Sequence, residues 1–426
     1  MAQMKNARDM LVLYGLGLAV TLGGLVLVRA ARPDGTPWEL LLAGLVLLGF
    51  PLIHVVLNSF GFRGDGFALP VVMGLSGLGL MEIFRLQPTG MVRQAGWILL
   101  GLGVMLLTYR LACDPDRLGR YRYLWAAGAT VLLGSALLFG TERGGARQWI
   151  DLGAVSFQPS EAVKVLLVLF LAAYLCEHQP VLIPHLPHDV ELRALAPLGA
   201  VLGLSLLMLV IQRDLGGALL YFVIVLVMVY LGTGRADYVA AGAVSFLVGG
   251  GICYALFPHV RVRLDAWLDP WRDLPGVGYQ TAQALFALGS GGIVGTGLGL
   301  GHPDLVPAAH TDLILAAIGE ELGYVGVLCV VVLYVLLIGW GFCVALRAQA
   351  PFSRLVAAGA STVLGVQVVL ILGGSLRFVP LTGITLPFVS YGGSSIVSNF
   401  VLLGLLLGVS HREEADRGVD RGRAHP

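Results

Sequence analysis

A carboxylate within reach of a hydroxyl can take its proton, and arginine or lysine can hold the negative charge that leaves on the far side of the reaction. Residues of both kinds stand at five places in this 426-residue chain, amid sequence that otherwise avoids charge. In RQWIDLGAVSFQPSEAVK, Arg147 to Lys164, a proline-serine helix start is followed by Glu161 and, three residues on, Lys164. That spacing puts the two on one helix face, as a structural ion pair or as a lysine offered to an anion. In QRDLGGALL, Asp214 follows Gln212 and Arg213 at a tight break between apolar runs, suited to cap the next helix or to floor a polar cavity. In PAAHTDLILAAIGEELG, His310 and Asp312 precede Glu320 and Glu321.

Two further stretches offer positive charge. Arg261 to Gly301, RVRLDAWLDPWRDLPGVGYQTAQALFALGSGGIVGTGLGLG, carries Arg261 and Arg263 and ends in glycines. It lacks the Gly-Lys-Ser/Thr ending of a nucleotide-binding loop and reads better as a flexible turn. In LRFVPLTGITLPFVSYGGSSIVSNF, Arg377 lies beside prolines and paired glycines that break any helix. Such backbone survives at membrane depth only where protein or a wet cavity satisfies it.

The elements that must position these groups are membrane helices. Hydrophobic residues make up 57% of the chain and charged ones 12%, with a mean hydropathy of +0.84, against about 25% charged in soluble domains. Apolar runs predict an all-α polytopic membrane protein of twelve spans, near 10–28, 39–59, 67–84, 92–109, 122–140, 161–176, 193–211, 215–232, 237–257, 313–343, 355–376 and 390–409. The first run lacks a small-residue cleavage site and reads as an anchor rather than a cleaved signal. Two long loops, from Gly140 to Ser160 and from Pro258 to Thr311, fall on one face. With the N-terminus inside, fifteen Lys and Arg lie on the inner face and eleven on the outer, Lys164 being within a span. That many outer arginines imply work besides topology. A net charge of +1 gives no reason to expect nucleic acid. Five scattered cysteines show neither metal-ligand spacing nor a pairing.

The uncharged run from Leu322 to Leu346 is long enough to cross a bilayer, so residues 312–321 are expected as an outer helical approach. Asp312 would sit in its first turn, as a cap or facing a cavity, with Glu320 and Glu321 at the interface for positioning or partner binding. The tail HREEADRGVDRGRAHP reads as disordered.

Taken together and in order, RQWIDLG…SFQPSEAVK, QRDLGGALL, LDPWRDLPGVGYQTAQALFALGSGGIVGTGLG, AHTDLILAAIGEELG and PLTGITLPFVSYGGSS resemble the SEDS family, the RodA/FtsW/SpoVE-type proteins of bacterial cell-wall synthesis. The resemblance implies a ten-span core over residues 65–411, a two-span extension at 1–64 and a cytoplasmic tail at 412–426. It implies a peptidoglycan glycosyltransferase that polymerises lipid II at the outer face of the bacterial cytoplasmic membrane, with both termini inside and a class B penicillin-binding transpeptidase as partner. On the family's motifs, Asp312 is the catalytic base, Glu161 and Lys164 are functional, and Arg263 and Asp214 match an arginine and an aspartate of the site. Lys164, Arg263, Arg147 and Arg377 are expected to hold phosphate, and Glu161 to orient Lys164 or to help hold a divalent metal, Mg or Mn. Thr296, Ala308, Arg213 and Gln148 stand where many members have lysine, glutamate, proline and arginine. The competing readings are a lipid II flippase and a non-catalytic scaffold for a transpeptidase.

Overall fold

The computed structural model describes residues 7–31, 37–143, 145–153, 155–182 and 192–423. Lys5 and Arg32 of the charge count, and the last three residues of the tail, lie outside them. In chain order the helices are α1 (Ala7–Ala31), α2 (Pro37–Ser59), α3 (Ala68–Leu86), α4 (Pro88–Ala112), α5 (Pro115–Arg120), α6 (Arg122–Phe139), α7 (Pro159–Leu182), α8 (Leu192–Ile211), α9 (Leu215–Thr233), α10 (Ala236–Leu256), α11 (Pro258–Leu268), α12 (Tyr279–Gly291), α13 (Ile314–Arg347), α14 (Pro351–Ser375) and α15 (Gly393–Arg423). Eleven are long and apolar enough to cross a membrane, and α8 supplies a shorter apolar segment, Ala196–Ile211, at the remaining expected span.

Burial separates a centre from a periphery. The most apolar stretches of α3, α7 and α15 are 83% buried and that of α14 is 78% buried, whereas α10 has none of its own buried. Central helices approach closely through small residues, the packing that apolar surroundings favour because hydrophobic exclusion does not act between helices there. A Cβ added to Gly404 of α15 would come within 2.6 Å of the Met105 carbonyl oxygen on α4.

The first long loop folds as a small antiparallel sheet, β1 (Thr141–Arg143), β2 (Ala146–Asp151) and β3 (Ser156–Phe157), in that order. The pairing sets Glu142 opposite Arg147 and Ile150 opposite Phe157. In the second, α11 and α12 are joined by turns, and the glycines lead through a single 3-10 turn, Pro303–Leu305, to α13. All five cysteines are free.

Helix α13 departs from the sequence reading. It starts at Ile314, so Asp312 precedes it, and it is broken at Gly323, whose φ of 67° and ψ of −168° are non-helical. Unbroken, the helix would pair the Glu320 and Glu321 carbonyls with the amides of Tyr324 and Val325. Instead those carbonyls accept from Thr296 N at 2.9 Å and Gly297 N at 3.0 Å, while Tyr324 N and Val325 N donate to Gly292 O at 2.9 Å and Ile293 O at 3.1 Å. These four polar groups freed by the kink are satisfied by the glycine segment, as buried backbone requires. The tail differs too. α15 runs on to Arg423, and Glu413 accepts from Gln349 N at 3.0 Å, so residues 412–423 are helical rather than disordered.

A side chain at Gly323 would meet Gly295 N at 2.3 Å in a backbone region reserved for glycine. Gly323→Ala is therefore expected to destabilise the purified protein by at least about 1–3 kcal/mol. Gly96→Ala, with nothing within 4 Å, should not lower the thermal midpoint in detergent.

Candidate functional site

The ends of α4, α7 and α9 meet the sheet, α11, the loop before α13 and the irregular segment after α14 around one cavity of ≈ 540 Å³. Three carboxylates, Glu161, Asp214 and Asp312, line it with four arginines, Arg93, Arg143, Arg213 and Arg263. Trp97, Trp149 and Tyr391 add aromatic faces, and Gln148, Gln158 and His310 add polar ones.

Asp312 stands in the turn that ends at Leu313, the residue preceding α13, and that helix start has no side-chain capping bond. The cap reading of Asp312 therefore falls, and the cavity reading is the one the geometry fits. Opposite its carboxylate is Gly383 (φ 74°), where an added Cβ would lie 3.7 Å from Asp312 Oδ2. The segment carrying Asp312 is held by Ser390 Oγ, which donates to Thr311 O at 2.6 Å, and by Tyr391 N, which donates to His310 O at 2.9 Å. Gln94 of α4 fixes that partner turn in turn, donating from Nε2 to Ser390 O at 2.9 Å. Burial raises the Asp312 carboxyl to about 6, opposed by its bond with Thr311 and by the nearby Arg263 charge.

For Asp214 both readings hold at once. It is the residue preceding α9, accepts from Gly217 N at 2.8 Å, and lines the cavity at 6% exposure. Burial pushes its carboxyl upward, while the Gly217 amide and the Arg263 charge pull it down. Arg263, half-buried on α11, reaches Leu381 O at 3.4 Å and Thr382 O at 3.5 Å, long contacts that leave its guanidinium available to the cavity.

Glu161 lines the cavity, but Lys164 does not. The lysine is 1% exposed and bonds Glu161 Oε2 at 2.5 Å, Asn399 Oδ1 at 2.9 Å and Gln367 Oε1 at 3.2 Å. The expectation of a direct phosphate contact is corrected on that ground: three side chains from α7, α15 and α14 occupy its ammonium. Ser398 Oγ donates to the same Glu161 oxygen at 2.9 Å.

Arg147 and Arg377 are also corrected, since neither lines the cavity. Arg147 donates from Nε to Gly140 O at 2.7 Å and from Nη2 to Leu138 O at 3.4 Å, holding the end of α6 to β2. Arg377 donates from Nε to Trp267 O at 2.8 Å and from Nη2 to Leu268 O, closing the C-terminus of α11. Cations at helix ends are favourable there without any ligand. The sequence reading missed Arg93, Arg143, Trp97 and Trp149 as cavity residues. The two arginines had one signal, their place among the outer-face arginines whose number implied work besides topology.

The donors do not make a protein-built metal cage: among the described residues no group of three or more His, Cys, Asp or Glu could hold a metal ion.

The fold is that of a polytopic helical membrane protein in which carboxylates and arginines converge on one cavity. The family model for FtsW, RodA and SpoVE, described as cell cycle protein, matches residues 65–415, and the chain belongs to that family. It is 39% identical to the peptidoglycan glycosyltransferase RodA of Mycobacterium tuberculosis (strain ATCC 25618 / H37Rv), over 96% of this chain and 90% of that one. It is 36% identical to a probable peptidoglycan glycosyltransferase FtsW of Thiomicrospira cyclica, over 75% and 82%. Among solved structures, a chain from a peptidoglycan synthase complex that coordinates polymerization and crosslinking matches with a TM-score of 0.69 and 30% identity, covering 82% of this chain and 98% of that one. The Thermus thermophilus rod shape determining protein RodA matches with a TM-score of 0.57 and 30% identity, over 82% and 97%.

Lys164→Met leaves Glu161 as a buried charge without its cation, a change that costs about 3–5 kcal/mol where such pairs are broken. A lowered thermal midpoint is expected, and Glu161→Gln added to Lys164→Met should recover part of it. A single variant as stable as the parent would contradict the three-helix role given to Lys164.

Proposed function

We propose that this protein is a peptidoglycan glycosyltransferase that polymerises lipid II, with Asp312 as general base. The observation that carries the reading is a half-buried carboxylate, outside any helix, facing a cavity lined by four arginines. The names of its relatives support the activity. The positive-inside count favours inner termini and an outward cavity in the bacterial cytoplasmic membrane, and the family's class B penicillin-binding transpeptidase is the partner.

The reaction joins the anomeric carbon of a donor sugar to an acceptor sugar hydroxyl while a lipid pyrophosphate departs. Asp312, ionised, accepts the hydroxyl proton as the new glycosidic bond forms. Arg263, half-buried, and Arg93 offer positive charge to the departing pyrophosphate, while Arg143 and Arg213 line the same cavity paired with Asp151 and Glu142. Glu161 and Asp214 are acceptors for the sugar hydroxyls, and the indole and phenol rings offer them flat apolar faces. A flippase would need a polar route through the bundle. Inward of Glu161 the Lys164 cluster joins three helices whose cores are 78–83% buried, which speaks against that route. A scaffold would need none of the cavity's chemistry.

The pH dependence tests the base directly. The charges acting on Asp312 are those of Arg263 and Asp214, and burial holds the nearby His310 below its ordinary value. With its carboxyl raised to about 6, Asp312 is an ionised base above that pH and a protonated, inactive one below it. Lipid II polymerisation by the purified protein is expected to be flat above pH 7 and to fall about tenfold per pH unit below 6. An acid limb near the ordinary carboxylate value, or none, would remove Asp312 from the role.

A further inference from the structure

The Glu320–Glu321 pair, the glycine segment and one of the arginines assigned to the outer face have no part in the chemistry above, yet they form one buried network. Arg85, in the last turn of α3, is 4% exposed and Glu321 is 1% exposed. The guanidinium donates from Nε to Glu321 Oε1 at 2.9 Å and from Nη2 to Gly301 O at 2.8 Å. Glu321 Oε2 accepts from Gly299 N at 2.9 Å, and Glu320 Oε1 accepts from His302 N at 2.7 Å. Three residues before Arg85, the buried Glu82 makes no hydrogen bond through either carboxylate oxygen but lies within electrostatic reach of both Arg85 and Glu321. The interface and partner-binding roles expected for Glu320 and Glu321 are corrected accordingly: both are buried and turned inward.

This network is the far end of a closed loop whose near end is Asp312. From Glu321 the first part of α13 runs back as a rigid rod to Ile314, and from Gly299–His302 the chain returns over residues 303–311 to the same place. Val306, Ala309 and Leu313 of that return pack on Ala284 and Ala287 of α12, with Leu86, the neighbour of Arg85, against the same cluster. Ala308 takes a left-handed φ of 55° on the way. A rod and a return segment pinned together at one end fix where their junction stands at the other.

We propose that Arg85 and Glu321 are positioning residues for Asp312, their ion pair and its bonds to Gly299 and Gly301 setting where the carboxylate stands in the cavity. Geometry at this level matters because misplacing a reacting group by about 1 Å can cost up to about 10²-fold in rate. The inference rests on Asp312 being the base.

The test compares Arg85→Lys, Glu321→Met and the double variant Arg85→Met/Glu321→Met in the full chain. Replacing a buried pair by apolar residues is often neutral for stability, whereas removing one partner is not. The double variant is therefore expected to fold, checked by its thermal midpoint, while lacking the fork that holds Gly299 and Gly301. It is expected to keep KM within about twofold, to lose about tenfold or more in kcat, and to shift the acid limb from about 6 toward the ordinary carboxylate value as Asp312 becomes wetter. Amide exchange should rise across residues 302–312 and stay at the parent's rate elsewhere in the bundle. Arg85→Lys keeps the buried charge without the planar fork and, as the variant least exposed to misfolding, should show the same limb shift in smaller measure. A folded double variant or Arg85→Lys with the parent's kcat, acid limb and exchange would overturn the proposal. So would a slow variant whose limb and exchange in 302–312 are unmoved, because its defect would not pass through Asp312. Asp312→Asn, measured alongside, separates the two readings: full activity there sinks the base assignment, while the exchange data still judge the network.

Discussion

The ammonium of Lys164 has no water to turn to, and the surrounding bundle is arranged around that fact. An unpaired charge at such a position is expensive in apolar surroundings, and the chain meets the cost with Glu161, Asn399 and Gln367, drawn from three different helices. The same bond that neutralises the lysine holds Glu161 at the wall of the cavity. One buried interaction therefore joins α7, α14 and α15, closes the bundle beneath the cavity, and sets one of its three carboxylates. Ser398 locks the glutamate from the other side.

On the opposite wall the problem is different, because Asp312 belongs to no helix. Its position comes from irregular backbone held at two ends: the Ser390–Tyr391 turn beside it and the Arg85–Glu321 network at the far end of the closed loop. Irregular backbone so deep in a membrane protein is tolerated where its polar groups are satisfied. Here glycine supplies the means. The kink at Gly323 exchanges two helical bonds for bonds to the glycine segment, and Gly383 leaves the space that Asp312 faces.

Much of this was legible in the residues. Apolar run length located the helices; residue type and spacing left Glu161, Asp214 and Asp312 open between structural and functional roles, and the resemblance to the family singled them out with Arg263, all four of which line one cavity. Lys164 was legible as a buried lysine needing a partner, but not as one fully occupied by side chains more than 200 residues away in sequence. Arg147 and Arg377 were misread because an arginine beside a motif looks the same whether it meets a phosphate or closes a helix end. Glu320 and Glu321 were misread because the break at Gly323 hides in a continuous apolar pattern. A kink that trades hydrogen bonds with a distant glycine segment leaves no trace in periodicity. Trp97 comes from α4, outside every stretch the motifs marked, so only three-dimensional proximity reveals it as a cavity residue.

The central claim is that Asp312 removes the acceptor proton, and chain growth from labelled lipid II by an Asp312→Asn variant tests it most directly. Asparagine keeps the shape and loses the base, so a variant with the parent's thermal midpoint should polymerise at least about 10²-fold more slowly. Glycan chains made at the parent's rate by that folded variant would contradict the account.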